Sequence, residues 1–180
     1  MSEDGTAGDG SGEGEGYGGV LGTYPYAFRR SSSRLFRSYV LLGGLATGLI
    51  AVLFTFAVVG VIAETAGGPG GTFTFARSFV LLLGFLVVFP LMVPVILVAR
   101  RHRQRGSSVA YDRALAAAGY LFLASLYVGL VPTTPPELRE QPQGLLAPVV
   151  ETLYGLPPVA GAVPPLVALA VGYLLHRRYR

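Results

Sequence analysis

Four stretches of this chain contain no charged side chain: residues 38–63, 78–99, 114–136 and 152–175. Each exceeds the roughly 20 residues that an apolar helix needs to cross about 30 Å of hydrocarbon. A buried helix of a soluble protein keeps a polar stripe at helical spacing, whereas these windows are apolar on every side. Charged residues make up 13% of the chain, against about 25% in ordinary soluble domains, and they crowd between the windows. The pattern predicts an all-α membrane protein with four transmembrane helices, at about 38–63, 76–99, 110–132 and 157–175.

The basic residues give that bundle a direction. There is no lysine, and all 14 basic residues are arginine. If the four helices alternate, Arg29, Arg30, Arg34 and Arg37 share one side with Arg100, Arg101, Arg103, Arg105 and Arg113 and with Arg177, Arg178 and Arg180. Only Arg77 and Arg139 are left for the other side. Short loops so biased stay in the cytoplasm, because arginine resists translocation and is drawn to anionic lipid. The expectation is a multi-pass protein of the cell membrane with both termini cytoplasmic. The net charge of +4 is therefore assigned to anionic inner-leaflet lipid and not to nucleic acid.

Residues 1–23 are glycine-rich and acidic with almost nothing to bury, and they read as a disordered tail before a transmembrane domain of residues 24–180. Their alternating glycines imitate a nucleotide loop, but no strand precedes them and no helix follows directly. The polar stretch is too long, and the first apolar run exceeds the core of a cleavable signal, so that run is expected to remain as the first span. Residues 24–39, YPYAFRRSSSRLFRSY, mix aromatics with arginines. They read as an interfacial collar in which Arg30, Arg34 and Arg37 share a helical face and Ser31 or Ser32 caps a helix running straight into the first span. Arg29, Arg30, Arg34 and Arg37 are the candidate lipid-headgroup contacts.

Within the spans, Gly44 and Gly48 form a G-x-x-x-G, and Ala168 and Gly172 form a second pair of small residues four apart. Both are candidate helix-packing faces. Pro90 and Pro94 should bend the second span, freeing carbonyls, and Pro164 and Pro165 lie in the fourth. In the third span Asp112 sits in the first turn, where it complements the helix dipole. Tyr120, Ser125 and Tyr127 are the candidate polar path, and a carbonyl freed by a proline is the expected partner of the Tyr120 hydroxyl. Between the third and fourth spans, Leu145, Leu146, Val149, Val150, Leu153 and Tyr154 recur with helical period. This predicts a short outer amphipathic helix within 143–155, lying on or dipping into the membrane.

Catalytic chemistry is hard to assemble from what remains. The chain has no cysteine, which removes disulfides, thiolate metal sites and cysteine nucleophiles. His102 and His176 lie among arginines, where a metal would need neutral imidazole beside several positive charges. No ionisable residue falls near the middle of a span, as proton- or ion-coupled transport generally requires. Glu64 is at the outer end of the first span, and Glu137, Glu140 and Glu151 lack any catalytic spacing. No catalytic, cofactor or metal residue is expected, and no enzyme. The leading reading is a structural or accessory membrane protein that packs with itself or with a larger membrane complex. The alternative is a small transporter or channel.

The acidic glycine-rich leader, the collar sequence and the all-arginine basic loops together resemble small uncharacterised multi-pass membrane proteins encoded by halophilic archaea. The resemblance is one of composition and layout over the whole chain. It implies a cell-membrane location and a high-salt cytoplasm, and it carries no activity or site residue.

Overall fold

The computed structural model describes residues 19–66 and 72–180, so the expectation for residues 1–18 lies outside it. All regular secondary structure among the described residues is helical: α1 (Gly19–Arg30), α2 (Arg34–Thr65), α3 (Thr72–Gln104), α4 (Val109–Leu130), α5 (Ala147–Tyr154) and α6 (Val163–Tyr179). Short 3-10 turns at Val131–Thr133, Pro136–Leu138 and Pro158–Ala162 join the later helices. Four helical stretches, Arg34–Thr65, Thr74–Gln104, Val109–Thr133 and Pro158–Tyr179, are long and apolar enough to cross a membrane.

The helices outrun the apolar windows, because arginine, serine and tyrosine continue a helix as readily as they end a hydrophobic run. α2 and α3 have 32 and 33 residues, or about 50 Å at 1.5 Å per residue, enough to reach through both headgroup layers. The start of the domain differs from the sequence expectation. Residues 19–23 belong to α1 and not to a tail. The collar is also not continuous with the first span, because Ser31, Ser32 and Ser33 interrupt it. Ser33 is the N-cap of α2, accepting from the Phe36 N–H at 3.3 Å, in place of Ser31 or Ser32. The break removes the helical register that would have put Arg30 on one face with Arg34 and Arg37.

α4 is the central helix, packing against α2, α3 and α6. Small side chains permit the close approach: Ala116, Ala118 and Gly119 are buried along α4, as is Ala168 on α6. A methyl group on Gly119 would overlap the Tyr39 ring, so glycine is required where α2 crosses α4. α3 stays helical through Pro90 and Pro94. The Tyr39 hydroxyl donates to the Leu91 carbonyl at 2.6 Å, beside the Pro90 carbonyl whose helical donor Pro94 lacks. α2 gives the bundle one stripe, through Gly43, Thr47, Ile50 and Phe54, and leaves Leu45, Leu49 and Phe56 exposed.

At the opposite end from α1, two arginines act as staples. Arg77 donates from Nε to the Thr65 hydroxyl and from a terminal nitrogen to the Thr65 carbonyl, both at 2.7 Å, tying the start of α3 to the end of α2. Arg139 donates to the carbonyls of Thr134 and Tyr154, each at 3.0 Å, and lies over the Tyr154 ring. These are the two arginines that the charge bias leaves on that side, and both are held by the connections they sit in. The amphipathic helix expected within 143–155 is α5, shortened to eight residues and resting on the turn at Val131–Thr133.

Candidate functional site

The most polar interior of the molecule lies at the arginine-rich end and is organised around Asp112. Ser108 caps α4, accepting from the Tyr111 N–H at 3.2 Å, and so places Asp112 in the first turn. The Asp112 side chain points inward and is 1% exposed. It accepts from the Ser31 hydroxyl at 2.5 Å and from the Ser107 hydroxyl at 2.6 Å, and it lies 3.2 Å from His102 Nε2. Ser31 in turn accepts from the Ser33 N–H at 3.2 Å. One carboxylate thus joins the α1–α2 break, the end of α3 and the start of α4. Hydrogen bonds to an ionised group contribute roughly 1.5–3 kcal/mol each, about twice a neutral one.

Serine, histidine and aspartate in one cluster invite comparison with a nucleophilic triad, but the connectivity is different. A triad needs the serine hydroxyl to donate to imidazole and the carboxylate to orient that imidazole. Here the Ser31 hydroxyl donates to the carboxylate itself, so the arrangement stores no activated oxygen. It acts as a clamp. Arg37 reinforces it, donating from Nε to the Ser31 carbonyl at 2.8 Å while lying over the Phe28 ring.

Beside the clamp, Arg100, Arg101, Arg105 and Arg180 surround a basin of about 360 Å³, with Tyr111 and His176 in its wall. Arg101 is fixed in place: it donates to the Tyr179 carbonyl at 2.6 Å and sits 4.2 Å from the centre of the Tyr111 ring. The Tyr111 hydroxyl meets His176 Nδ1 at 2.9 Å. Among the described residues no arginine lies within ion-pair distance of a carboxylate, so these guanidinium groups face the basin without such partners. Among the same residues, no three of His, Cys, Asp or Glu gather closely enough to hold a metal ion.

The residues singled out from sequence are scattered. The Tyr120 hydroxyl donates to Ser38 at 2.9 Å and not to a proline-freed carbonyl. Tyr39 instead donates to the Leu91 carbonyl, next to the Pro90 carbonyl that Pro94 frees, and the two rings meet edge-on at 5.2 Å. Ser125 donates back to the Phe122 carbonyl of its own helix at 2.6 Å, and Tyr127 is 75% exposed. The three therefore do not line a common path, because α2 covers α4 near Tyr120 and leaves it open at Tyr127. Of the packing pairs, Ala168 and Gly172 do face α4, with Gly172 against Ala118. Gly44 accommodates the Tyr24 ring of α1, and Gly48 faces open space. Arg29, Arg30 and Arg34 are exposed around the collar, whereas Arg37 is occupied by the clamp.

Sequence reasoning missed Ser31, Ser107, His102, Tyr39 and Tyr111 as interacting groups. The signal that could have found them was the surplus of hydroxyls at the ends of apolar windows, where a single carboxylate also lies. In comparisons with known proteins, the family described as Domain of unknown function (DUF8056) matches residues 1–180. No curated protein and no solved structure matches the chain.

Proposed function

The chain belongs to this family, a domain of unknown function (DUF8056), and we propose that it is an integral protein of the cell membrane with a structural or accessory role. In this reading it crosses the bilayer four times, keeps both termini in the cytoplasm, and packs with itself or with a larger membrane complex. It carries out no catalysis, needs no cofactor and binds anionic lipid at its basic end, not nucleic acid.

The observation that carries the role is the outward face of α2. Gly48, Val52, Thr55 and Val59 follow one another at helical spacing on that face, all of them exposed, and among the described residues no other element lies within 4 Å of a methyl group placed on Gly48. A small residue on an apolar face lets a second helix approach its backbone. The polar groups inside the bundle support the same reading, since Tyr39, Thr47, Tyr120 and Ser125 spend their hydroxyls on internal bonds. Nothing comparable favours the transport reading. The test is affinity purification from native membranes in mild detergent, followed by mass spectrometry and sizing. A stoichiometric partner, or a stable homo-oligomer, is expected. Recovery solely as a monomer would overturn the accessory role.

The absence of native cysteine makes orientation directly measurable. Gln104 and Gln141 are exposed at opposite ends of the bundle. In intact cells, a membrane-impermeant maleimide should label Gln141→Cys and leave Gln104→Cys unlabelled until the membrane is permeabilised. The reverse pattern would invert the topology.

A further inference from the structure

The basin does not end at its arginines. α3 and α6 both pack on α4 but hardly touch one another, and between them runs an apolar cleft of about 260 Å³. Short or proline residues on all three helices leave the space, Pro90 and Pro94 on α3, Ala118 and Gly119 on α4, Ala168 and Gly172 on α6, between larger apolar side chains such as Leu115 and Phe122. Leu97 and His176 line both the cleft and the basin, so the two adjoin end to end. Along α3 the cleft reaches from Phe89 to Leu97, about 12 Å at helical rise, close to the ~15 Å depth of one leaflet. Phe89, Leu169 and Tyr173 at its rim are 46%, 37% and 60% exposed, so the groove opens sideways.

We propose that cleft and basin form one site for an anionic phospholipid of the leaflet at the basic end. The headgroup phosphate lies among Arg100, Arg105 and Arg180, and one acyl chain lies between α3 and α6. Charge supplies the first argument. Guanidinium groups match phosphate oxygens in bidentate geometry, and here, among the described residues, they lie beside a groove with no Asp or Glu side chain on its walls. Shape supplies the second. An apolar groove open to hydrocarbon fills with hydrocarbon, and this one begins at the phosphate position and runs to leaflet depth. A free anion would satisfy the basin but leave the cleft unexplained. The proposal rests on bilayer insertion but not on the accessory role or on which side the basic end faces.

The absence of native tryptophan allows a single optical reporter. Leu169→Trp, at the cleft rim, is introduced into the full chain and reconstituted in phosphatidylcholine vesicles containing small fractions of acyl-brominated phosphatidylglycerol. Quenching should saturate at a mole fraction on the order of tenfold lower than with brominated phosphatidylcholine, given about one arginine's surface attraction per contact. Adding Arg100→Gln with Arg105→Gln, both exposed, should abolish most of that preference while leaving thermal unfolding unchanged. Native mass spectrometry of the unmodified protein, eluted from mixed micelles of the two lipids, should show one retained phosphatidylglycerol. Equal quenching by both lipids, or a preference untouched by the arginine changes, would overturn the site. Complete release of the lipid by inorganic phosphate would reassign the basin to free anions and overturn it too. A chain that fails to reconstitute at all indicts bilayer insertion instead, and failure to copurify a partner leaves this result unaffected.

Discussion

Asp112→Ala should be the most damaging polar substitution in the protein, lowering stability by about 3–5 kcal/mol, the range found when one member of a buried charged cluster is removed. The carboxylate is 1% exposed and serves the Ser31 hydroxyl, the Ser107 hydroxyl and His102. Alanine would leave the buried Ser31 hydroxyl and the partly buried Ser107 hydroxyl without their acceptor and an imidazole facing a void. The damage should be directional, because Ser31 supplies the polar tie of the α1–α2 break to α4, while packing on α3 holds the rest of α1. Denaturant unfolding in detergent measures the loss, and limited trypsin digestion locates it, with cleavage after Arg29 and Arg30 accelerated before the spans are affected. Asp112→Asn keeps the shape and one acceptor oxygen, so it should lose roughly half as much, in the range of one or two charge-assisted bonds. If Asp112→Ala unfolds like the native chain and is cleaved no faster, the clamp is not what holds the α1–α2 break.

The second large effect is steric and lies at the other end of α4. Gly129 and Gly161 are in direct backbone contact: a methyl group on either would overlap the carbonyl oxygen of the other. No rotamer change can relieve a collision with main chain, so Gly129→Ala should cost about 3 kcal/mol or more, the upper end for overpacking. The Pro158–Ala162 turn would shift outward and carry the start of α6 with it. Gly48→Ala is the matched control, since it meets nothing within 4 Å. In the isolated monomer, alanine there should be neutral or stabilising by up to ~1 kcal/mol through helix propensity. Equal melting temperatures for Gly129→Ala and the native chain would refute the contact. A marked loss for Gly48→Ala would instead point to a neighbouring helix supplied by another chain.

The contrast between these glycines shows what local sequence can and cannot encode. Gly44 and Gly48 have the spacing of a packing motif, but among the described residues Gly48 meets no neighbouring element. Gly119, Gly129 and Gly161 carry the tight contacts without any such spacing, because the need for glycine is set by where two helices cross. The four long helices were legible because a charge-free run of more than 20 residues has few other outcomes. Ser31, Ser32 and Ser33 were ambiguous, since a serine before an apolar run can cap a helix or break one. The outcome depended on Asp112, 81 residues away from Ser31. That same distance hid the candidate site: Asp112 alone reads as a complement to the helix dipole, and Arg100 or Arg180 alone reads as an anchor. The basin exists only when the ends of α3 and α6 meet at Tyr111.

The 81-residue reach of the Ser31–Asp112 bond also sets a timetable. A chain made from its N-terminus at about 5–20 residues per second needs roughly 4–16 s to go from one partner to the other. For that interval the carboxylate that clamps the α1–α2 break is still unmade, and on the proposed topology two spans precede the third, which delivers Asp112. On that topology α1 rests at the membrane surface during biogenesis with its packing against α3 available but its polar clamp unformed. The clamp closes as a late checkpoint, recording that the third helix has arrived in the correct register.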